Sequence, residues 1–304
     1  MLPEPSQRPP TIDPIASARW VKLPNPGPSP WLHEEIGRRM EERLQWIKAA
    51  PRSWLDWSPL RGGLETHRRV ARRYADAAAY VHEPDPALLA ATREAFASPW
   101  WSARRWSGPR ERFGPPPADG VGMLWANMSL HMASDPQALI AQWRDLVATD
   151  GFLMFSCFGP DTLRELRALY RRLGWPPSGH EFTDMHDWGD MLVAAGFAEP
   201  VMDMERVVLT YASPEAALAE LRGLGRNLHP GRFGGLRGRA WRRSLVQALR
   251  EAAPQAEADA RIGFTFEIVY GHAFRPVPRV KLSDQSAVSL RDMRAMLQSG
   301  RGPA

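Results

Sequence analysis

Cysteine is nearly absent from this chain of 304 residues, where Cys157 stands alone. A single thiol excludes an internal disulfide and any multi-cysteine metal site, and it fits a reducing, cytoplasmic setting. Long apolar runs are missing too. Nothing approaches the roughly 20 residues that span a bilayer, and the opening MLPEPSQRPPTIDP lacks the basic-then-apolar pattern of a secretion signal. No zinc-finger spacing and no RNP-like aromatic motif is present, which leaves nucleic-acid binding without a motif. No internal repeat recurs at a period of roughly 20 to 50 residues.

Arginine and tryptophan are abundant instead. The net charge of +5 and the pI near 9.8 come almost wholly from arginine. Clusters stand at Arg68, Arg69, Arg72 and Arg73, at Arg164, Arg167, Arg171 and Arg172, and at Arg237, Arg239, Arg242 and Arg243. Such a surface suits an acidic partner, and arginine on solvated helix faces gives the same composition. With 13 Trp and 44% hydrophobic residues, the chain can bury one large core or a core plus a small lobe.

Residues 1–30 are proline-rich (PEPSQRPP, LPNPGPSP) and predict little fixed structure, apart from a docking segment near Ala18 to Val21. The segment 31–50 carries Leu32, Ile36, Met40, Leu44 and Ile47 at helical spacing, and Pro51 ends it. An alternation of the α/β kind follows. Strands are expected at 52–57, 78–82, 120–128 and 151–158, with helices at 64–76, 86–97 and 136–148. WWSARRW (100–106) is ambiguous as a third strand, and 108–117 reads as a loop. Beyond Gly159, helices are expected at 161–173, 185–195, 214–224 and 238–252. Two short strands (200–204, 206–211) and a last one at 262–274 complete the pattern, and 276–304 reads as a flexible tail. The order predicts a doubly wound α/β sheet with an antiparallel strand among the last. Ligands in such sheets bind outside the carboxyl ends of the strands.

The turn that should hold a nucleotide is short of glycine. In SWLDWSPLRGGL, Ser58, Pro59 and Leu60 occupy its tightest part and only Gly62 and Gly63 remain. Glycines there let backbone N–H groups come close to a ligand and let the chain reach unusual φ/ψ. Asp56 precedes this turn, as a loop-ordering acid, a cofactor contact or a simple cap. Glu83, at the end of the second strand in YVHEPDPALL, stands where an adenosine ribose finds a carboxylate, or where an acid opens a helix. Asn127 in WANMSLHM could face a ligand or satisfy backbone where the fourth strand ends. His131 is the histidine nearest the expected cleft and reads as structural before it reads as a base.

These segments resemble the class I S-adenosylmethionine-dependent methyltransferases, in particular the malonyl-acyl-carrier-protein O-methyltransferases of biotin synthesis. The resemblance runs over about residues 31–275. WLDWSPLRGG, YVHEPDPALL and MLWANMSLHM fall on the first, second and fourth strand motifs. FLMFSCFGPDTLREL falls on the fifth strand and its helix, and HEFTDMHDWGDMLVAAGFAEPVMD, LRGLGRN and TFEIVYGHAF on the later part. The resemblance implies a seven-stranded Rossmann-like sheet with helical insertions in the second half. It places Asp56, Gly62, Gly63, Glu83 and Asn127 at the cofactor, and an acidic acyl carrier protein as partner. Arg164 in GPDTLREL is the candidate cation for the acyl carboxylate, or else an exposed helix arginine. Methylating a carboxylate needs no general base, so no catalytic acid or base is expected. The chain departs from the pattern at Ser58, Pro59 and Leu60, and at ERFGPPPADG, which replaces the acid that would meet adenine. Two functions stay open on the residues alone: a carboxyl methyltransferase, or a non-catalytic relative kept as an interaction or regulatory module.

Overall fold

The structure is a computed structural model that describes residues 12–23, 27, 29–97, 111–252 and 261–277. Its centre is a seven-stranded sheet of order β3-β2-β1-β4-β5-β7-β6. The strands are β1 (Ser53–Trp57), β2 (Ala78–His82), β3 (Glu111–Arg112), β4 (Val121–Ala126), β5 (Val147–Phe158), β6 (Ala198–Tyr211) and β7 (Ile262–Phe274). The first five run parallel, and β7 is inserted antiparallel between β5 and β6. Parallel strands need crossovers, and the helices that make them cover both faces.

β5 shows why the centre of the sheet reads as one apolar run. Phe152, Met154 and Phe158 face one core, while Leu153, Phe155 and Cys157 face the other. The first face is covered by α2 (Trp31–Arg43), α4 (Leu64–Arg73), α7 (Arg164–Arg172), α9 (Pro214–Leu224) and α10 (Arg239–Ala252). The second is covered by α6 (Pro136–Leu146), whose Ile140 and Trp143 are fully buried, and α8 (Met185–Ala194). Helix starts follow the sequence: Pro86 and Pro136 open α5 (Pro86–Phe96) and α6 behind the caps Asp85 and Asp135.

Three expectations are corrected. WWSARRW falls outside the described residues, and β3 lies at Glu111–Arg112 in the segment read as a loop. Only two residues pair there, too few to show a period. The two short strands near 200–211 are one strand of 14 residues, with a register shift between Ala198 and Val201. Helical structure in 31–50 stops at Trp46. The docking segment expected near Ala18 to Val21 is present and longer: Pro14–Lys22 forms a helix, α1, capped by Asp13 and docked through Trp20 against Leu228. The tail from 278 onward lies outside the described residues.

β7 passes close to β5 at Gly271. A Cβ there would lie 2.4 Å from the Phe155 ring and 2.9 Å from the Met202 sulfur. At Gly263, on the same strand, it would meet only Val208 at an ordinary 3.7 Å. Overpacking costs about 1–3 kcal/mol. In urea unfolding, Gly271→Ala is therefore expected to lose stability of that order, and Gly263→Ala to stay within about 0.5 kcal/mol of wild type.

Candidate active site

Two neighbouring cavities open at the carboxyl ends of the parallel strands. The first encloses about 360 Å³ and is lined by Trp57 and Ser58 after β1, Asn127 and Met128 after β4, His33 of α2, Gly62 and Trp20. The second encloses about 290 Å³ beside His131, Phe158 and Phe182, and shares Met132 and Leu224 with the first. The backbone is strained at their rims. Ser58, Met128 and Leu163 are non-glycine residues with φ of 60°, 52° and 56°, a conformation that costs L-residues about 1–2 kcal/mol.

The glycine-poor turn folds onto itself. Ser58 adopts the left-handed conformation that glycine would take more cheaply, and Pro59–Gly62 form one helical turn, α3. The amides of Arg61, Gly62 and Gly63 donate back to the carbonyls of Ser58, Ser58 and Pro59, and Pro59 has none. The Leu60 amide donates to Glu83 Oε1 at 2.9 Å. These donors are therefore satisfied within the protein. Gly62 is needed for a different reason. A Cβ there would lie 2.8 Å from the Asn127 carbonyl oxygen.

Asn127 sits at the centre of the site. Its Nδ2 donates to the His33 carbonyl at 2.8 Å and to the Gly62 carbonyl, while its Oδ1 accepts from the Ser156 hydroxyl at 2.6 Å. Its side chain thus positions α2, the turn and β5 against one another. Asp56 is buried and accepts or shares the proton of His67 Nδ1 at 2.7 Å, away from both cavities. Burial raises its pKa and His67 opposes the rise. Glu83 is buried beside the turn, with Thr92 as a second donor to Oε1. Its Oε2 is buried without a partner, and desolvation pushes the carboxyl up to about 7.

His131 is placed as the structural histidine that was expected, and Arg164 away from the acyl-carboxylate position proposed for it. His131 lines the second cavity, but its Nδ1 accepts the Phe158 amide at 3.4 Å and burial keeps it neutral. Arg164, expected at the acyl carboxylate, is half-exposed on α7, pairs with Asp161 and Glu165, and lines neither cavity. The cations at the second cavity are Arg167, Arg222 and Arg226. The sequence had signalled these only as members of an arginine cluster and of LRGLGRN.

His33 had no signal beyond a helical pattern. It is 3% exposed and lines the first cavity. Its Nδ1 lies 2.8 Å from the Arg61 carbonyl oxygen, so Nδ1 carries the proton and Nε2 presents a buried lone pair with no partner. Burial holds its pKa down to about 4, so the ring is neutral at physiological pH.

A parallel sheet with one antiparallel strand near its edge and a ligand-sized cavity over β1 and β4 defines a protein of the class I methyltransferase type. The chain resembles, in structure, the YcgJ protein of Bacillus subtilis (TM-score 0.52, 13% identity, 81% of this chain and 100% of that one). A Bacillus halodurans structure provisionally assigned as a methyltransferase gives TM-score 0.51 at 12% identity, over 80% of this chain and 100% of that one. No family profile matches the sequence. Among curated relatives, the malonyl-[acyl-carrier protein] O-methyltransferase of Gallionella capsiferriformans is 38% identical over 82% of this chain and 86% of its own length. That of Laribacter hongkongensis is 36% identical over 83% and 86%. The chain belongs to the malonyl-[acyl-carrier protein] O-methyltransferase family. Among the described residues, no helix is long and apolar enough to cross a membrane.

Glu83 makes stability depend on pH. Below about 4.5 its carboxyl is protonated in both the folded and unfolded chain. As pH rises, the unfolded chain ionises first, so the folded state loses stability until pH passes about 7. Glu83→Gln keeps an acceptor for Leu60 and Thr92 without that cost. Thermal melts should show the variant stabilised at pH 8 by on the order of 2 kcal/mol, the gain vanishing at pH 4.

Proposed function

We propose that this chain methylates the free carboxylate of a malonyl group carried as a thioester on acyl carrier protein, with S-adenosylmethionine as methyl donor, in the route to biotin. The carrying observation is the first cavity. It has ligand size, lies over the carboxyl ends of β1 and β4, and presents the lone pair of His33. The free Oε2 of Glu83 lies buried beside its turn. These groups fit the donor as acceptors: Glu83 for a ribose hydroxyl and His33 for an N–H or O–H of the ligand. Gly62 and Asn127 form the bare backbone wall beside them. When bound, the donor would supply an electrophilic sulfonium methyl for a carboxylate oxygen, the carbon–sulfur bonding pair remaining with sulfur.

The protein's own part is alignment. A malonyl carboxylate is ionised at neutral pH, so no side chain has to remove a proton. The arginine-rich surface supports an acidic carrier protein as partner through steering. Residues 31–275 are proposed as the methyltransferase unit.

A second reading draws on the turn itself. Its amides are spent internally and Leu60 covers Glu83, as in a relative that has given up its cofactor. Calorimetric titration with S-adenosylmethionine and S-adenosylhomocysteine separates the two. Micromolar binding, weakened at least tenfold by Glu83→Ala, is the expected outcome. Absence of binding at millimolar ligand would refute the enzyme reading and leave an interaction module.

A further inference from the structure

The second cavity has a wall unlike the first. Phe158, Phe182, Phe266, Leu163 and Leu166 form an apolar floor, and Arg167, Arg222 and Arg226 stand around it. No Asp or Glu lines it. Among the described residues none of these three guanidinium groups makes an ion pair, whereas Arg38, Arg39 and Arg43 on α2 are all paired. Arg167 is tied to the Pro160 carbonyl.

Arg226 is the cation nearest the boundary. Its Nη1 donates to the Gly225 carbonyl at 2.7 Å and to the Arg222 carbonyl, which fixes the guanidinium without neutralising it. The group lies 5.5 Å above the ring of Trp20, and Trp20 lines the first cavity. Arg61 lies on the same indole at 4.0 Å. Burial and the neighbouring charge of Arg222 both lower the pKa of Arg226, and among the described residues neither arginine has an acidic side chain as ion-pair partner. Such a cost is relieved by an anion.

We propose that the second cavity is the acyl-acceptor site, in which Arg226, helped by Arg222, holds the terminal carboxylate of a short acyl thioester at its boundary with the first cavity. This rests on the methyltransferase reading above and names the residue that selects the acceptor. A guanidinium matches a carboxylate through two parallel N–H donors, so it fixes orientation as well as charge. The short methylene arm and the thioester lie along the apolar floor. An acetyl thioester leaves the arginines unpaired and is rejected. The methyl ester product is neutral, loses the same ion pair and leaves readily.

The test is calorimetry on the full chain without methyl donor, with malonyl-pantetheine and acetyl-pantetheine as probes. Wild type is expected to bind the malonyl probe at least tenfold more tightly than the acetyl probe. Arg226→Gln should erase that preference while holding S-adenosylhomocysteine affinity within about threefold. Arg222→Gln should reduce the preference by a smaller factor, and it serves as the second measurement should Arg226→Gln lose its native melt. Arg164→Gln should behave as wild type. The proposal is overturned by equal binding of the two probes to wild type, by an unchanged preference in both cavity variants, or by an equal loss in Arg164→Gln. Failure of S-adenosylhomocysteine to bind overturns the methyltransferase reading instead, and the malonyl preference still judges the carboxylate site by itself.

Discussion

The side-chain amide of Asn127 is the contact on which the rest of the site depends. One carboxamide joins the backbone of α2 at His33, the glycine turn at Gly62 and the hydroxyl of Ser156 on β5. All of these groups are buried, and an unpaired one would cost about 1–3 kcal/mol. The network therefore holds as a unit. It sets the floor of the first cavity, aims the His33 ring and brings Gly62 so close to β4 that no side chain fits between them.

The turn after β1 shows how the fold tolerates the loss of glycines. Ser58 takes the left-handed conformation at some cost, Pro59 suits the first position of a helical turn, and Leu60 donates its amide to Glu83. The strand–turn–helix geometry survives because the turn's backbone groups find partners within the protein. As a result these amides no longer face outward, and the ligand recognition proposed above rests on side chains, chiefly Glu83 and His33. Both carry buried polar atoms without a partner among the described residues.

Much of the fold was legible in the sequence. Alternating apolar and helical periods marked β1, β2, β4, β5 and β7, and the helical segments from Pro86 and Pro136 marked α5 and α6. β3 was not legible, since two paired residues carry no pattern. The break between the two expected strands near Met204 was an error of local reading. β6 is half-exposed along its length and β7 pairs with it throughout, so the strand continues where the composition suggested a stop. Of the site, the positions of Gly62, Glu83 and Asn127 were legible because strand ends and turns leave motifs. Their partners were not.

The doubly wound architecture was readable from the amino-acid sequence alone, because it follows from periodicity, and the family was readable from motifs that resemble those of its members. Only the tertiary structure decided which residues are free to act. Asp56 is consumed by His67, and Arg164 by Asp161 and Glu165. Arg226 lines the second cavity with no ion pair among the described residues, and His33 lines the first with an unpartnered lone pair. Whether a charged or polar group is satisfied depends on contacts between segments far apart in the chain, and such contacts exist only once the core has packed.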